Sequence, residues 1–589
     1  MTPSLCDAVT GDDNGAAMLA ALAERGLFVS PLVGDGQRIR YHHLFAELLR
    51  YQFRAEDRDG KREARKRAAT WLLDHGELRD GVEQLLAARA FDLAFEVIDG
   101  HGMSFFERGE IATLARWLVQ IQRAGTAPEP ATSISLLAAQ SGGDEFMAAE
   151  ETHRRLLRRR GITPGEQIAI DTLASLAGYG DLPTSEMRRL ARRAIDQLAD
   201  VDRSTVFDFF GGGGADSCET IANFMEALGA FYDGDVDAST TALERTLELP
   251  GTRYPIWSVA CSGALAFCHA WSGRLTDAHR LARATIDAAQ DMGTVGHASA
   301  TLSLLAAAAV SLDRAELLDA RRHLDAAGAI LQRSRRTTNR HLHHLLDARL
   351  VGLTDGPGPA LDHLRRLDEP GALRPVTVQA RLTTEIGLLL RAGATQEAVA
   401  LIQRSAAATP AALIDVHLAA DELRAARKVL DRWQPVEPTL RTQVDRLLRE
   451  GAVLAREGKL GPAGIAVADA AVLAEPELLV SPFLDVPTAL DLLRDAAPAR
   501  PLRRLRALVD ATPDHPNRQK ANEQLVEPLT ARELAVLDHL PSRLSNAEMA
   551  ETLYISVNTL KSHVRSIYRK LASADRDEAV HQARQLGLL

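Results

Sequence analysis

The chain has 589 residues, 46% of them hydrophobic and 25% charged, so it can form several domains or one long repeat array and has the composition of a soluble protein. An aromatic content of 5%, with abundant Ala, Leu and Arg, favours packed helices over β-sandwiches. A formal net charge of −10 argues against a general polyanion binder, so any nucleic-acid contact must be local.

The N-terminus gives no sign of export or membrane insertion. A basic segment followed by an apolar one is missing, so we expect no signal peptide, and the longest apolar run, around Leu302–Leu312, is too short to span a bilayer. The cysteines form no CxxC pair and are expected to be buried free thiols: Cys6, Cys218, Cys261 and Cys268. We therefore expect a cytoplasmic protein without membrane contact.

Residues 1–55 predict a helix, a hairpin and a second helix. The first helix runs from Leu19 to about Gly26, and two short apolar segments, Phe28–Leu32 and Ile39–Tyr41, form a hairpin. His42–Phe53 follows as a helix. Residues 56–125 then predict helices separated by glycine turns, at Lys61–Leu73, Glu77–Ala88, Phe91–Ile98 and Ile111–Ile121.

Residues 126–510 predict a helical repeat array. A short polar turn followed by an Ala-containing helix begins at Gly234, Gly273, Asp313 and Gly393, and the first three are about 40 residues apart. A period of 34–47 residues with two helices per unit is typical of TPR- or HEAT-like solenoids. Such an array offers a groove for a small-molecule or protein effector, so this segment is our candidate sensor. A rigid spacer is the alternative.

A polar, proline-bearing segment, residues 511–526, predicts a linker to a tail domain. In that tail, residues 527–589, a Ser, Thr or Asp stands three residues before a Glu at Thr530, Ser545 and Asp575, the spacing of a helix-capping box. Ser556 caps a further helix, so the tail predicts four short helices with a tight turn between the second and third. This is the helix-turn-helix arrangement.

The third of these helices, Ser556–Leu571, has two distinct faces. Apolar residues recur at helical spacing on one side, as Leu560, Val564, Ile567 and Leu571. The opposite side carries Asn558, Lys561, Ser562, Arg565 and Arg569. No acid interrupts this segment, and a basic, hydrogen-bonding helix face of this kind fits a duplex major groove.

The tail resembles the LuxR/GerE-type DNA-binding domain across residues 527–589, in LTARELAVLDHL, LSNAEMAETLYISVNTLKSHVRSIYRKL and RDEAVHQARQLGLL. The departures lie in loops, at Pro541–Arg543 and Ala572. The resemblance implies that Lys561, Ser562 and Arg565 face base edges. It implies a further set at or near the DNA, namely Asn546, Ser556, Asn558, Thr559, His563, Arg569 and Lys570. It also implies a dimer on DNA formed through Ala579, Val580 and Ala583, a contact with RNA polymerase and association with the nucleoid when bound.

Three other stretches resemble the large MalT-like members of that family: GLFVSPL with IRYHHLFAELLRYQF, ERGEIATLARWL, and EGKLGPAGIAVADAAVLAEPELLVSPFLD. In that family a P-loop ATPase module precedes a winged-helix segment, yet no GxxxxGK[ST] occurs in these 589 residues. We therefore expect residues 1–55 to be a winged-helix remnant in a regulator without that module. Either the protein is naturally short or its start lies downstream of the real one.

No pattern indicates an enzyme, a cofactor or a metal centre. Gly211–Gly214 lacks the Lys and Ser/Thr of a phosphate-binding loop and is expected to be flexible. His341, His343, His344 and Asp347 could gather a metal ion, but a solvated helix face is the preferred interpretation.

The sequence thus predicts an all-α protein with a winged-helix remnant (1–55), helical pairs (56–125), a TPR-like solenoid (126–510), a linker (511–526) and a four-helix LuxR-type domain (527–589). Its predicted function is that of a sequence-specific transcriptional regulator of double-stranded DNA. Two alternatives stay open: a protein-interaction scaffold whose tail does not bind DNA, and a truncated ATP-dependent switch. The operator, the effector, the oligomeric state and the choice between activation and repression do not follow from the sequence.

Overall fold

The computed structural model describes most of the chain, as separate segments. The described residues are 2–25, 29–31, 39–41, 47, 58–180, 182–212, 214–366, 373–434, 438–486, 488–489, 492, 522, 525–540, 545–552, 556–586 and 588. They fall into two compact units, one of residues 1–177 with 190–222 and the other of residues 178–189 with 223–589.

The first unit consists of helices with one small hairpin. Its helices are α1 (Pro3–Thr10), α2 (Gly15–Glu24), α3 (Arg58–Asp74), α4 (Leu78–Ala87), α5 (Phe91–His101), α6 (Met103–Glu107), α7 (Ile111–Ala124), α8 (Ala131–Gly142), α9 (Phe146–Leu157) and α10 (Pro164–Ser175). The four helices expected in residues 56–125 correspond to α3, α4, α5 and α7. The expected hairpin is confirmed as strands β1 (Val29–Pro31) and β2 (Ile39–Tyr41), which pair antiparallel with Val29 opposite Tyr41. Its turn and most of the expected helix after it lie outside the described residues.

The described part of the Gly211–Gly214 run is tightly packed, which differs from the flexible loop that we expected. A side chain at Gly211, whose φ is +66°, would come within 2.6 Å of the Gly100 carbonyl oxygen. One at Gly212 would come within 2.3 Å of the Met103 methyl group. These glycines allow the backbone to lie against α5 and α6 and so serve packing within the first unit.

The second unit contains the predicted array. Two helices, α11 (Thr184–Leu198) and α12 (Gly214–Asp233), run across the boundary between the units. The array continues as α13 (Val236–Leu247), α14 (Pro255–Ser272), α15 (Leu275–Asp291), α16 (Thr301–Asp313), α17 (Leu317–Leu331), α18 (Thr337–Thr354), α19 (Pro357–Arg365), α20 (Pro375–Arg391), α21 (Thr395–Arg404), α22 (Pro410–Ala419), α23 (Leu423–Arg432), α24 (Leu440–Arg456), α25 (Leu460–Ala474) and α26 (Ser481–Asp485).

The array is built from helix pairs that stack in register. From α14 to α25 each even-numbered helix packs on the odd-numbered helix that follows it, and successive even-numbered helices pack on each other. The even-numbered helices are therefore covered on more than one side, and all residues of α16 are buried. This explains the apolar run at Leu302–Leu312, because a helix that is apolar all round needs cover all round. The expected TPR-like array is confirmed in this range.

The repeated sequence motif forms the turn inside a helix pair. The backbone enters the left-handed region at Gly234, Gly273, Ala315 and Gly393, two residues before the second helix of each pair begins. Glycine adopts this conformation without steric cost, which accounts for its recurrence there.

The array also closes on itself, since α24 packs on α14 and α26 packs on α16. Arg441, in the first turn of α24, donates hydrogen bonds to the backbone oxygens of Ala270 and Trp271 at 3.3 and 3.0 Å. It also forms an ion pair with the carboxylate of Asp313, which is 1% exposed. Asp313 further accepts hydrogen bonds from Arg349 at 2.8 Å and from the Ser481 hydroxyl at 2.6 Å. One buried carboxylate therefore joins four elements of the closed array.

The tail contains the four expected helices, α27 (Ala531–His539), α28 (Asn546–Thr552), α29 (Val557–Lys570) and α30 (Arg576–Gln585). They enclose a separate apolar core that includes Leu537, Met549, Leu560 and Ile567. Leu586, directly after α30, lies outside this core and is 42% exposed.

Two other expectations concern single side chains. Cys218, Cys261 and Cys268 are buried free thiols as expected, whereas Cys6 is partly exposed. The histidines of α18 do not form a solvated face: His341 is 3% exposed, and His344 stacks on His363 with ring centroids 4.3 Å apart.

Within the described ranges no helix is long and apolar enough to cross a membrane.

Candidate nucleic-acid interface

The basic helix α29 is fixed at its start by its own cap. Ser556 is extended, and its hydroxyl accepts a hydrogen bond from the Thr559 backbone N–H at 3.1 Å. The Ser556 and Thr559 hydroxyls lie 2.7 Å apart. Both side chains are therefore part of the N-terminal cap. The cap stabilises the first turn of α29, from which Asn558 projects.

The two faces of α29 differ in burial as the sequence predicts. Leu560 and Ile567 are fully buried and Val564 packs against the same core. Asn558, Lys561, Ser562 and Arg565 are exposed on the other side. Neither Lys561 nor Arg565 forms an ion pair with a described residue, so both cations are available to an external anion.

Helices α27 and α28, which both pack on α29, begin at capping boxes. Thr530 and Glu533 form a complete capping box, with the Thr530 N–H bound to the Glu533 carboxylate at 2.7 Å. Ser545 and Glu548 exchange the same pair of hydrogen bonds at 2.7 and 3.3 Å. Asp575 caps α30 by accepting from the Glu578 N–H at 2.9 Å. The predicted helix starts at 531, 546 and 576 are confirmed, and each follows from a local cap.

Lys570 is not at the exposed face. Its side chain is 6% exposed, and its ammonium lies 2.7 Å from the Glu533 carboxylate and 2.8 Å from the Pro528 carbonyl oxygen. We therefore leave Lys570 out of the candidate DNA-binding set. Arg569 is 64% exposed, but its guanidinium makes two hydrogen bonds with Glu527 at 2.6 and 2.9 Å.

The residues expected to form a dimer are mostly inside the domain. Ala579 and Ala583 are fully buried in the tail's own core, and Val580 packs partly against it. A contact between copies through α30 would have to use other side chains, such as the exposed Leu586. The correction has a simple cause: small residues at helical spacing mark close packing, and the packing partner here is the domain itself.

Asn546 and His563 complete the predicted set. Asn546 is exposed at the start of α28, and His563 is half-buried beside Ser562 on α29. The class of protein is now defined: an all-α chain in which a closed helical array is followed by a helix-turn-helix domain with an exposed basic face.

Comparison with known families agrees at both ends of the chain. Residues 1–61 match the MalT winged helix domain, and residues 527–583 match the bacterial regulatory proteins of the luxR family.

Three relatives illustrate the range of similarity. The HTH-type transcriptional regulator MalT of Vibrio campbellii is 23% identical over 645 residues, covering 98% of this chain and 68% of that protein. The uncharacterized transcriptional regulatory protein YxjL of Bacillus subtilis is 42% identical over 67 residues, 11% of this chain and 31% of that protein. The serine/threonine-protein kinase PknK of Mycobacterium tuberculosis is 29% identical over 110 residues, 19% of this chain and 10% of that protein. The chain is thus similar to MalT along most of its length, and its tail matches the luxR-family domain at residues 527–583.

Sequence patterns alone did not reveal the acids that support this site. Glu527 and Glu533 lie about 40 residues from the basic residues they contact, a separation at which no helical or strand period applies. Asn522 holds the start of the domain by exchanging two hydrogen bonds of 2.8 Å with the backbone of Leu529. The excess of acids over arginines in residues 527–555, just before the basic helix, is a signal that could have indicated such pairs.

Proposed function

We propose that this protein binds specific double-stranded DNA through α29 and that its helical array senses an effector or partner that controls transcription. The observation that carries the DNA contact is the exposed face of α29, where Lys561 and Arg565 project without an ion pair to a described residue. Arginine and lysine there are suited to guanine O6 and N7, and Asn558 and Ser562 to neighbouring bases or phosphates.

The remaining residues have positioning roles in this proposal. We assign Asn546, Thr559, His563 and Arg569 to phosphate contacts, which fix the register of a protein on DNA without specifying sequence. Ser556 acts through the cap of α29. Arg569 must exchange Glu527 for a phosphate before it contributes.

The array supports the sensing half of the proposal. Stacked helix pairs form extended surfaces that bind peptides, domains or small molecules, and α14–α25 are such a stack. RNA polymerase and a second copy of the chain are proposed partners, the second through the exposed part of α30.

The test is fluorescence anisotropy of the full chain on labelled random duplex DNA across a salt series. We expect log K to fall linearly with log salt, and a Lys561→Ala/Arg565→Ala double variant to bind more weakly and with a flatter salt dependence, because two cations of the contact face are gone. The matched control is Arg280→Ala/Arg283→Ala, which removes two arginines of the array that are each 75% exposed and leaves the slope unchanged.

An equal loss in both double variants would mean that binding depends only on net charge. Absence of any salt-dependent binding by the wild type would favour a scaffold whose tail contacts protein.

A further inference from the structure

A short segment between α10 and α11 is bound to the array of the second unit in the manner of a ligand. Residues 178–180 and 182–184, which we call the strap, contact the starts of α18 and α20. Gly178, Tyr179 and Gly180 are buried, although they form no part of a regular helix pair of the array.

Arg374, directly before α20, holds the backbone of the strap. Its side chain donates to the backbone oxygens of Gly178 at 2.6 Å, Gly180 at 2.9 Å and Leu182 at 2.7 Å. It also donates to the hydroxyls of Thr184 and Thr338, at 3.2 and 3.3 Å. Arg374 is 3% exposed, and these five acceptors match the five N–H groups of a guanidinium.

The aromatic residue of the strap, Tyr179, contacts side chains other than Arg374. The Arg336 guanidinium lies over the Tyr179 ring, 4.0 Å from its centroid, and the Phe224 ring lies 6.3 Å away on α12. The Thr337 hydroxyl donates to the Gly180 backbone oxygen at 3.1 Å. Specificity for an aromatic side chain therefore accompanies backbone recognition.

The chemistry of this contact differs from that of a hydrophobic core. Four of the five Arg374 acceptors belong to the strap, and three of them are backbone oxygens that any peptide possesses. Gly178 also has a steric role, because a side chain there would come within 1.9 Å of the Met187 sulfur. Leu176–Tyr179 forms a short 3-10 helix, so a segment with small, aromatic and small residues in succession that adopts the same turn would meet the same donors and fit the same space.

The polar groups at this surface exceed what the strap uses. Asn339 in the first turn of α18 and Thr377 in the first turn of α20 are 1% and 2% exposed, and their side-chain oxygens Oδ1 and Oγ1 have no hydrogen-bond partner among the residues that the structure describes. Buried polar atoms without partners are costly, so a surface that retains them is suited to a more polar occupant.

We propose that the surface around Arg374, formed by α12, α18 and α20, is a peptide-binding site, that the strap is its resident ligand, and that a partner protein carrying a small–aromatic–small segment displaces it. This deepens the proposed function, because it names the class of partner that the array would sense.

The experiment uses the full chain and a fluorescein-labelled peptide with the sequence of residues 176–186. Tyr179→Ala weakens the strap but leaves the array surface intact. We expect the peptide to bind Tyr179→Ala at least about 10-fold more tightly than the wild type, whose tethered strap competes at a high effective concentration. Hydrogen exchange of residues 178–184 in Tyr179→Ala should become faster, and added peptide should not slow it.

Arg374→Gln in the Tyr179→Ala background should abolish peptide binding, and Thr337→Ala should weaken it without removing the buried cation. Arg283→Gln in the same background is the matched control and should bind like Tyr179→Ala. A peptide in which alanine replaces the tyrosine should bind none of the variants.

Two outcomes would overturn the proposal. A strap that stays protected in Tyr179→Ala is part of the core, and a strap that is released without admitting peptide is not a ligand. No DNA is present in these measurements, so a failure of the DNA-binding proposal would leave their outcome unchanged.

Discussion

Lys570 and Glu533 form an ion pair of 2.7 Å in which each side chain is only 6% exposed. Glu533 also closes the capping box of α27, so a single carboxylate fixes the start of one helix and the end of α29. The basic helix is thus held at both ends, by Ser556 at its start and by Glu533 at its finish.

Replacing Glu533 with Gln should destabilise the DNA-binding domain by about 2–4 kcal/mol, because it leaves the Lys570 ammonium buried without its anion. The measurement is hydrogen exchange of α27 and α29 in the full chain. Glu548→Gln, which alters the exposed capping box of α28, is the control and should leave these two helices protected. Equal exchange in both variants would contradict a special role for the buried pair.

The same pair predicts a pH dependence. Burial alone would raise the pKa of Glu533, but hydrogen bonds from Lys570, Ser566 and Thr530 outweigh it and lower the pKa to about 2. The unfolded carboxyl titrates near about 4.3, so the stabilisation is complete above that pH and is lost as the pH falls from about 4.3 to about 2. Exchange protection of α29 should fall across this window in the wild type and to a smaller extent in Glu533→Gln.

Sequence patterns located the tail helices well because their signals are local. Caps, helical periodicity and the basic face each involve residues within one or two helical turns, and each was confirmed. Lys570 shows the limit of such reasoning: it follows the exposed Arg569 in a basic helix, and only its contact with Glu533 of α27 shows that it is buried. Ala579 and Ala583 make the same point, since a small residue looks alike whether it faces its own core or a second copy.

The exposed pair of Glu527 and Arg569 gives a third prediction. Glu527→Gln should strengthen binding to random duplex DNA at low salt, because Arg569 is released for a phosphate and a negative charge is removed from the interface. Salt screens this effect, so the two proteins should converge as the ionic strength rises. Anisotropy titrations at several salt concentrations are the measurement, with Glu548→Gln as the matched carboxylate change. A gain of similar size in both would indicate an effect of net charge alone.

A fourth prediction concerns closure of the array. Burial would raise the pKa of Asp313, but Arg441 and Arg349 outweigh it and the pKa is lowered. Asp313→Asn leaves both guanidinium groups without their shared anion and should cost about 3–5 kcal/mol. Hydrogen exchange at the end of α14 and the start of α24 should show the loss first.

Asp287→Asn is the control for this change, since Asp287 is 63% exposed and lies 3.9 Å from Arg283. Closure that survives in Asp313→Asn, with unchanged exchange at both ends, would show that apolar packing of α14 on α24 suffices.

The array shows why repeats were only partly predictable. The turn within a helix pair requires a left-handed residue, and glycine marks it at Gly234, Gly273 and Gly393. Asp421 adopts the same conformation with φ of 63°, two residues before α23 begins, and an aspartate gives no comparable signal in the sequence. Closure of the array could not be predicted from the sequence for a different reason: Asp313 and Arg441, which form the closing ion pair, are separated by 128 residues.

The last prediction separates recognition of sequence from attraction to DNA. Arg565 projects from the exposed face of α29 and is proposed to reach base edges, whereas Arg569 lies one turn further along and is paired with Glu527. Arg565→Ala should therefore cost about 1–3 kcal/mol on the preferred site and relax the sequence preference at one position. Arg569→Ala should weaken binding to all sequences alike and reduce the salt slope by about 1.

Selection from a random duplex library, followed by sequencing of the bound fraction, measures the sequence preference. Titrations on the selected duplex and on a random duplex measure the affinities. If both variants lose affinity equally on the two duplexes and select the same motif, the base contacts come from other residues of α29.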